Sequence, residues 1–232
     1  MSVIDPESVR IELSDEIAYV VMGPGSRSTA IDGDMIFELI SAFGWIADRS
    51  GASAAVLTSA NQDFCTGYDL SWLEAETASC HDELAAQTRL GIEHLNQVFV
   101  ELRRIPVPVV AAIEGRAIGP GLSLALACDL RVAADDALLS FGFGDLGVPP
   151  HAGLTYFLPR IVAPARALEL LLENRSFEAS EAHSEGLVQH LASPGETLAL
   201  ATERAKHLTA ERDPRAIENA LHSSRGRASR FS

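Results

Sequence analysis

The stretch that most limits what this chain can fold into runs from Pro106 to Asp129: Pro106-Val107-Pro108-Val109-Val110-Ala111-Ala112-Ile113-Glu114-Gly115-Arg116-Ala117-Ile118-Gly119-Pro120-Gly121-Leu122-Ser123-Leu124-Ala125-Leu126-Ala127-Cys128-Asp129. Pro106 and Pro108 stop the helix pattern before it, because proline has no N–H and disfavours helical geometry in the residue it follows. Val109–Ile113 is an unbroken apolar run of strand length, the pattern of a buried strand. A glycine-rich turn, Gly115 to Gly121, leads into a short apolar helix, Leu122–Cys128. Missing side chains in such a turn let the backbone approach a ligand closely.

The elements around it follow from periodicity. Val9–Leu13 alternates apolar and polar residues and Ile17–Met22 is almost wholly apolar, so both are expected as strands. Gly23-Pro24-Gly25 breaks the chain. Asp32 is placed to cap a helix whose apolar stripe is Ile36, Leu39, Ile40 and Phe43. Ala54–Thr58 is a short buried strand. Glu83 to Arg104 is a long helix with Ile92, Leu95, Phe99 and Leu102 on one face. Leu130–Ala134 is another strand.

From Pro164 onward, helices are expected over Ala165–Leu172, Ser180–Glu185, Glu196–Leu208 and Ala216–His222. One strand, Leu187–Leu191, interrupts them. The basic run from Arg225 to Arg230 is expected to fray. Strand–helix alternation followed by helices defines an α/β chain with parallel strands and an appended helical region.

The net charge of −14 argues against nucleic acid as a partner. It also means that an anionic ligand needs local help from basic side chains or backbone N–H groups. Cys65, Cys80 and Cys128 are sparse and lack metal-site spacing, so neither a disulfide framework nor a zinc site is expected. The first residues show no basic-then-apolar leader, and no apolar run approaches the ~18 residues of a membrane span. A cytoplasmic protein without membrane partners is the expectation.

Two further segments carry chemistry. In the first, a strand and a polar loop lead into Phe64-Cys65-Thr66-Gly67-Tyr68-Asp69-Leu70, turning at Gly67 and starting a helix near Asp69. Unpaired N–H groups at such a point can hold an anion or a polarised carbonyl. The second is Phe141-Gly142-Phe143-Gly144-Asp145-Leu146-Gly147-Val148-Pro149-Pro150-His151-Ala152-Gly153, ending in Phe157-Leu158-Pro159-Arg160. It sets a carboxylate and an imidazole six residues apart.

In this order and spacing the three segments resemble the crotonase (enoyl-CoA hydratase/isomerase) superfamily, over about Val9 to Leu208. Thr29-Ala30-Ile31-Asp32 with Met35, and Ala179-Ser180-Glu181-Ala182 with Gly186-Leu187-Val188, add to the likeness. The resemblance implies a ββα spiral core over residues 1–192, with C-terminal helices and an oligomerisation role over 193–232. It implies acyl-CoA thioester substrates, fatty-acid metabolism, no cofactor beyond the substrate's own coenzyme A, no metal, and a homotrimer or hexamer.

It also implies an oxyanion hole of two backbone N–H groups that stabilises a thioester enolate. Tyr68 N–H is the first, framed by Gly67 and Asp69. The second falls on Pro120, which has no N–H, so either Gly121 N–H substitutes after a small loop shift or the thioester is held less well. The family's first catalytic glutamate falls on Ser123. The second lies in a segment that is shortened here, where Asp145 is the nearest carboxylate.

His151 is the main acid–base candidate, assisted by Asp145, because a neutral imidazole is a capable base near neutral pH. Arg27 is a candidate for the coenzyme A phosphates, and Trp72 and Leu73 for the acyl pocket. Three functions are compatible with these residues. The first is isomerisation or hydration of an unsaturated acyl-CoA. The second is acyl-CoA binding without catalysis, which Pro120 and Ser123 favour. The third is hydrolysis of a thioester or C–C bond by a Ser123–His151–Asp145 set.

Overall fold

A computed structural model describes residues 2–4, 7–26, 28–78, 84–143, 149–210 and 212–225. Its main sheet has seven strands in the order β1-β2-β3-β4-β5-β7-β10. These are β1 (Ser2–Ile4), β2 (Val9–Ser14), β3 (Ile17–Met22), β4 (Ala54–Ser59), β5 (Val109–Ile113), β7 (Leu130–Ala134) and β10 (His190–Ala192). β1, β2 and β3 pair antiparallel, and every later pairing in this sheet is parallel. A second sheet joins β6 (Arg116–Ile118), β8 (Leu138–Ser140) and β9 (Ser176–Glu178).

The apolar runs of β4 and β5 are continuous because both faces of the sheet are covered, while side chains alternate between them. Ala54, Val56, Val110 and Ala112 meet Ala201 and Ala205 of α8 (Thr197–Thr209) on one face. Ala55, Leu57, Val109, Ala111 and Ile113 belong to the larger core on the other. That core takes in α1 (Gly33–Arg49), α3 (Leu84–Arg104) and α4 (Pro120–Ala127), with Leu39, Phe43, Leu95, Phe99 and Leu102 fully buried. Ile40 packs against its edge, and the side chain of Ile92 lies outside the described residues.

Asp32 caps α1 as its position implies, accepting from Met35 N at 2.8 Å. Asp69 does the same for α2 (Leu70–Ala78), accepting from Trp72 N at 2.9 Å. Four further helices follow: α5 (Leu154–Ile161), α6 (Pro164–Glu173), α7 (Ala179–Ser184) and, after α8, α9 (Pro214–Arg225).

Three local expectations are corrected. The span from Gly115 to Gly121 is not one turn: Arg116–Ile118 forms β6, parallel to β8, and α4 begins at Pro120 rather than Leu122. Leu187–Leu191 is not a strand throughout. Leu187 N and Val188 N donate to Ala182 O and close the end of α7, so pairing with β7 begins at His190. Arg225 does not fray. Its guanidinium is buried, ion-paired to Asp129 and bonded to the carbonyls of Ile105 and Val107. Residues 226–230 of that basic run lie outside the described residues.

Candidate active site

Two pieces of backbone meet at the C-terminal ends of β4 and β5. Beyond β4, Cys65 forms a bridge with Ala117 of β6: Cys65 N donates to Arg116 O at 3.0 Å, and Ile118 N to Cys65 O at 3.0 Å. Three residues on, Tyr68 bridges Ile31. Ile31 N donates to Gly67 O at 2.7 Å and Asp69 N to Ile31 O at 3.0 Å. Those bonds use the groups flanking Tyr68. Its own N–H finds no backbone acceptor among the described residues.

The second piece is the start of α4. Gly119 is the N-cap at φ 55°, Pro120 is the first helical residue, and Ser123 N donates back to Gly119 O at 3.0 Å. Proline suits that position, where an N–H has no intrahelical acceptor in any case. Gly121 is required for a different reason. A Cβ there would lie 2.6 Å from Cys65 Cβ and 2.7 Å from Cys65 O. Only glycine lets the first turn of α4 seat directly on the Cys65–Tyr68 segment. The Gly121 N–H lies in that turn, where donors are left over.

His151 reaches the site from the loop before α5. Its Nδ1 lies 2.9 Å from Pro149 O, and its Nε2 lies 2.7 Å from Tyr68 Oη. A carbonyl oxygen only accepts, so Nδ1 carries the hydrogen. Nε2 then presents its lone pair, and the Tyr68 hydroxyl donates to it. The rings of Tyr68 and His151 are nearly parallel, with centroids 5.6 Å apart and 17° between planes, and Phe143 lies 4.6 Å from the imidazole.

Burial holds the His151 imidazole below its usual value, against the opposing effect of the Pro149 carbonyl bond. Burial also raises the Tyr68 phenol. Both side chains are therefore neutral at pH 7.

The remaining candidates divide clearly. Ser123 is fully buried and its hydroxyl donates to Gly119 O at 3.3 Å, so it is not joined to His151 by a hydrogen bond. Asp69 caps α2 and also accepts from Ser71 Oγ, bonds that lower its carboxyl. Gly67 has φ 94°, a left-handed conformation that favours glycine, and a Cβ there would lie 3.4 Å from Ile118 O. Trp72 packs against the main core at partial burial. Asp145, Arg27 and Cys80 lie outside the described residues. Cys65 sits within the site, but burial pushes its thiol up to about 12, so it holds no thiolate at neutral pH.

The sequence pointed to the backbone of Tyr68 and missed its side chain. No local spacing could have shown it, since His151 lies 83 residues further along. Among the described residues no cluster of three or more His, Cys, Asp or Glu could hold a metal, and no helix is long and apolar enough to cross a membrane.

A family model described as enoyl-CoA hydratase/isomerase matches residues 12–229. The chain is 32% identical over 210 residues to 4-chlorobenzoyl coenzyme A dehalogenase-1 of an Arthrobacter species, covering 90% of this chain and 75% of the relative. It is 31% identical to the peroxisomal Delta(3,5)-Delta(2,4)-dienoyl-CoA isomerase of Arabidopsis thaliana, covering 78% of this chain and 67% of that one. Among solved structures, an enoyl-CoA hydratase from Bacillus halodurans superposes with a TM-score of 0.86 at 26% identity, covering 96% of this chain and 88% of its own. The chain belongs to the enoyl-CoA hydratase/isomerase family, within the crotonase superfamily. Those relatives are named for three different reactions, so the choice of reaction has to be argued from the site.

Proposed function

We propose that this protein is an isomerase of unsaturated acyl-CoA thioesters that uses His151 as its base. The observation that carries this is a single residue, Tyr68. Its N–H has no backbone acceptor among the described residues and can polarise a thioester oxygen, and its hydroxyl is bonded to the lone pair of His151 at 2.7 Å.

The Tyr68 and Gly121 N–H groups together would stabilise the enolate formed when the substrate loses a proton. A single neutral imidazole beside them suits chemistry in which one centre removes a proton and returns it to another carbon. Hydration divides its acid and base work between two carboxylates in the superfamily, and Ser123 stands where the first of these is expected. Hydrolysis through Ser123 is the weaker reading, because its hydroxyl is turned to Gly119 O in a fully buried position.

A second reading, acyl-CoA binding without turnover, is favoured by Pro120, which cannot donate from the position where the family's second N–H is expected.

The test is mass spectrometry of a panel of saturated and unsaturated acyl-CoAs incubated with the protein in D2O. Deuterium at the α or γ carbon, with movement of the double bond, is the expected result. His151→Ala should abolish it. A panel that stays unlabelled while acyl-CoA remains bound would overturn the isomerase reading in favour of the binder.

A further inference from the structure

We propose that the Tyr68 side chain is itself a catalytic residue, the hydroxyl through which a proton passes between the acyl-CoA substrate and His151 Nε2. This rests on the acid–base role given to His151 above and adds a second group to it.

Both imidazole nitrogens are already committed. Nδ1 donates to Pro149 O at 2.9 Å, and Nε2 accepts from Tyr68 Oη at 2.7 Å. A neutral imidazole has one lone pair in the ring plane. A substrate proton can reach it directly only if Tyr68 leaves. Tyr68 is poorly placed to leave: its backbone is bridged to Ile31 by the bonds of Gly67 and Asp69, and its ring packs against the main core and alongside the imidazole. Phe143 contacts the imidazole as well.

Tyr68 is nevertheless only partly buried, unlike Ser123. The same residue carries the N–H that would grip the thioester oxygen. Substrate held by the Tyr68 backbone thus lies within one side-chain length of the Tyr68 phenol.

The step balances as a relay. As the α C–H bond of a β,γ-unsaturated thioester breaks, its proton goes to Tyr68 Oη and the Tyr68 O–H proton goes to His151 Nε2. The C–H electron pair becomes the dienolate, whose oxygen is held by the backbone N–H groups. Tyr68 is neutral before and after, and His151 becomes imidazolium. After the Tyr68 hydroxyl proton exchanges with solvent, running the relay backwards delivers a proton to the γ carbon and leaves the conjugated thioester, with no net gain or loss of protons. Burial disfavours both a free phenolate and an isolated imidazolium, so the two transfers are expected to be concerted.

The test measures release of tritium from the α carbon of a β,γ-unsaturated acyl-CoA by wild type, Tyr68→Phe and His151→Ala. In the relay the Tyr68 O–H proton moves as the C–H bond breaks. Tritium release by wild type should therefore be slower in D2O than in H2O, and Tyr68→Phe should lose about 100-fold or more in kcat with little change in KM, the usual scale of a general acid–base group. In Tyr68→Phe any residual release, by direct transfer to Nε2, should have lost its solvent isotope effect.

Tyr68→Phe at wild-type kcat, or wild-type release with no solvent isotope effect, would overturn the relay and leave His151 as a direct base. His151→Ala at wild-type kcat would instead remove the base on which the relay depends. Equal melting temperatures and equal acyl-CoA affinity for Tyr68→Phe and wild type separate a lost relay from a lost fold.

Discussion

At the scale of single residues, the site differs from a two-carboxylate acid–base pair in the charge it carries. Tyr68 and His151 are neutral, and they are held so by burial, with no ionised partner among the described residues. The pH dependence follows. Activity needs the unprotonated imidazole, whose folded value lies below the usual 6.5. The rate should therefore be on its plateau at pH 7 and fall only as pH drops through that lowered value. Stability should show the same sign: protonation favours the unfolded chain, so His151 contributes above pH 6.5 and the contribution is lost on acidification. A kcat/KM profile measured from pH 5 to 8 checks the first statement. An acid limb centred above 6.5 would mean that an anion partners the imidazole in solution. Removing the imbalance between the two nitrogens is a separate test. In Tyr68→Phe the donor that stabilises neutral Nε2 is gone, so the His151 resonance should titrate at higher pH than in wild type.

At the scale of elements, the start of α4 decides how well a thioester can be held. Pro120 removes one N–H there, and Gly121 is seated so tightly on Cys65 that no side chain fits. Two substitutions probe this. Pro120→Ala restores an N–H at the first helical position. With Gly121 N–H as the second donor, kcat in the tritium assay should change little. One oxyanion donor is worth about 3 kcal/mol, so a rise towards about 100-fold would mean that Gly121 N–H does not fill the role. The proline's stiffening of the unfolded chain is lost, roughly 0.4–1 kcal/mol in denaturant unfolding. Gly121→Ala should instead force α4 off Cys65 at about 1–3 kcal/mol of overpacking and lower kcat with it. The sequence made much of this legible. β4 and β5 showed as apolar runs because each is buried on both faces, and the Gly-Pro-Gly turn marked the start of α4 to within two residues. β6, β8 and β9 were not legible, because three residues give no measurable alternation. The Tyr68–His151 bond was hidden for another reason: it joins two loops that only the completed fold brings together.

At the scale of the whole molecule, one carboxylate ties the C-terminal helix to the sheet. Asp129 accepts from Val109 N at 2.8 Å, from Arg225 Nε at 2.9 Å, and lies 3.6 Å from Arg103 of α3. Arg225 adds bonds to Ile105 O and Val107 O, in the connection that leads into β5, and its own carbonyl accepts from Tyr156 of α5 at 3.2 Å. The rest of α9 is largely exposed, so this buried guanidinium is its main attachment among the described residues. The run Arg225 to Arg230 reads as a solvated basic tail in sequence, because nothing local distinguishes its first arginine from the others. Removing one partner of a buried pair strands the other, at about 3–5 kcal/mol. Arg225→Ala should fall at the lower end of that range, because Arg103 stays near Asp129. The expected result is a denaturation midpoint shifted to lower urea, with early proteolysis between α8 and α9. Arg225→Lys should recover little, since a single ammonium cannot reproduce the forked bonds to Asp129 and to two carbonyls. If Arg225→Ala unfolds with wild-type stability while α9 becomes protease-sensitive, the helix is an appendage. If both change together, the C-terminal helix is part of the same cooperative unit as β5, whose far end leads through β6 to the turn before α4.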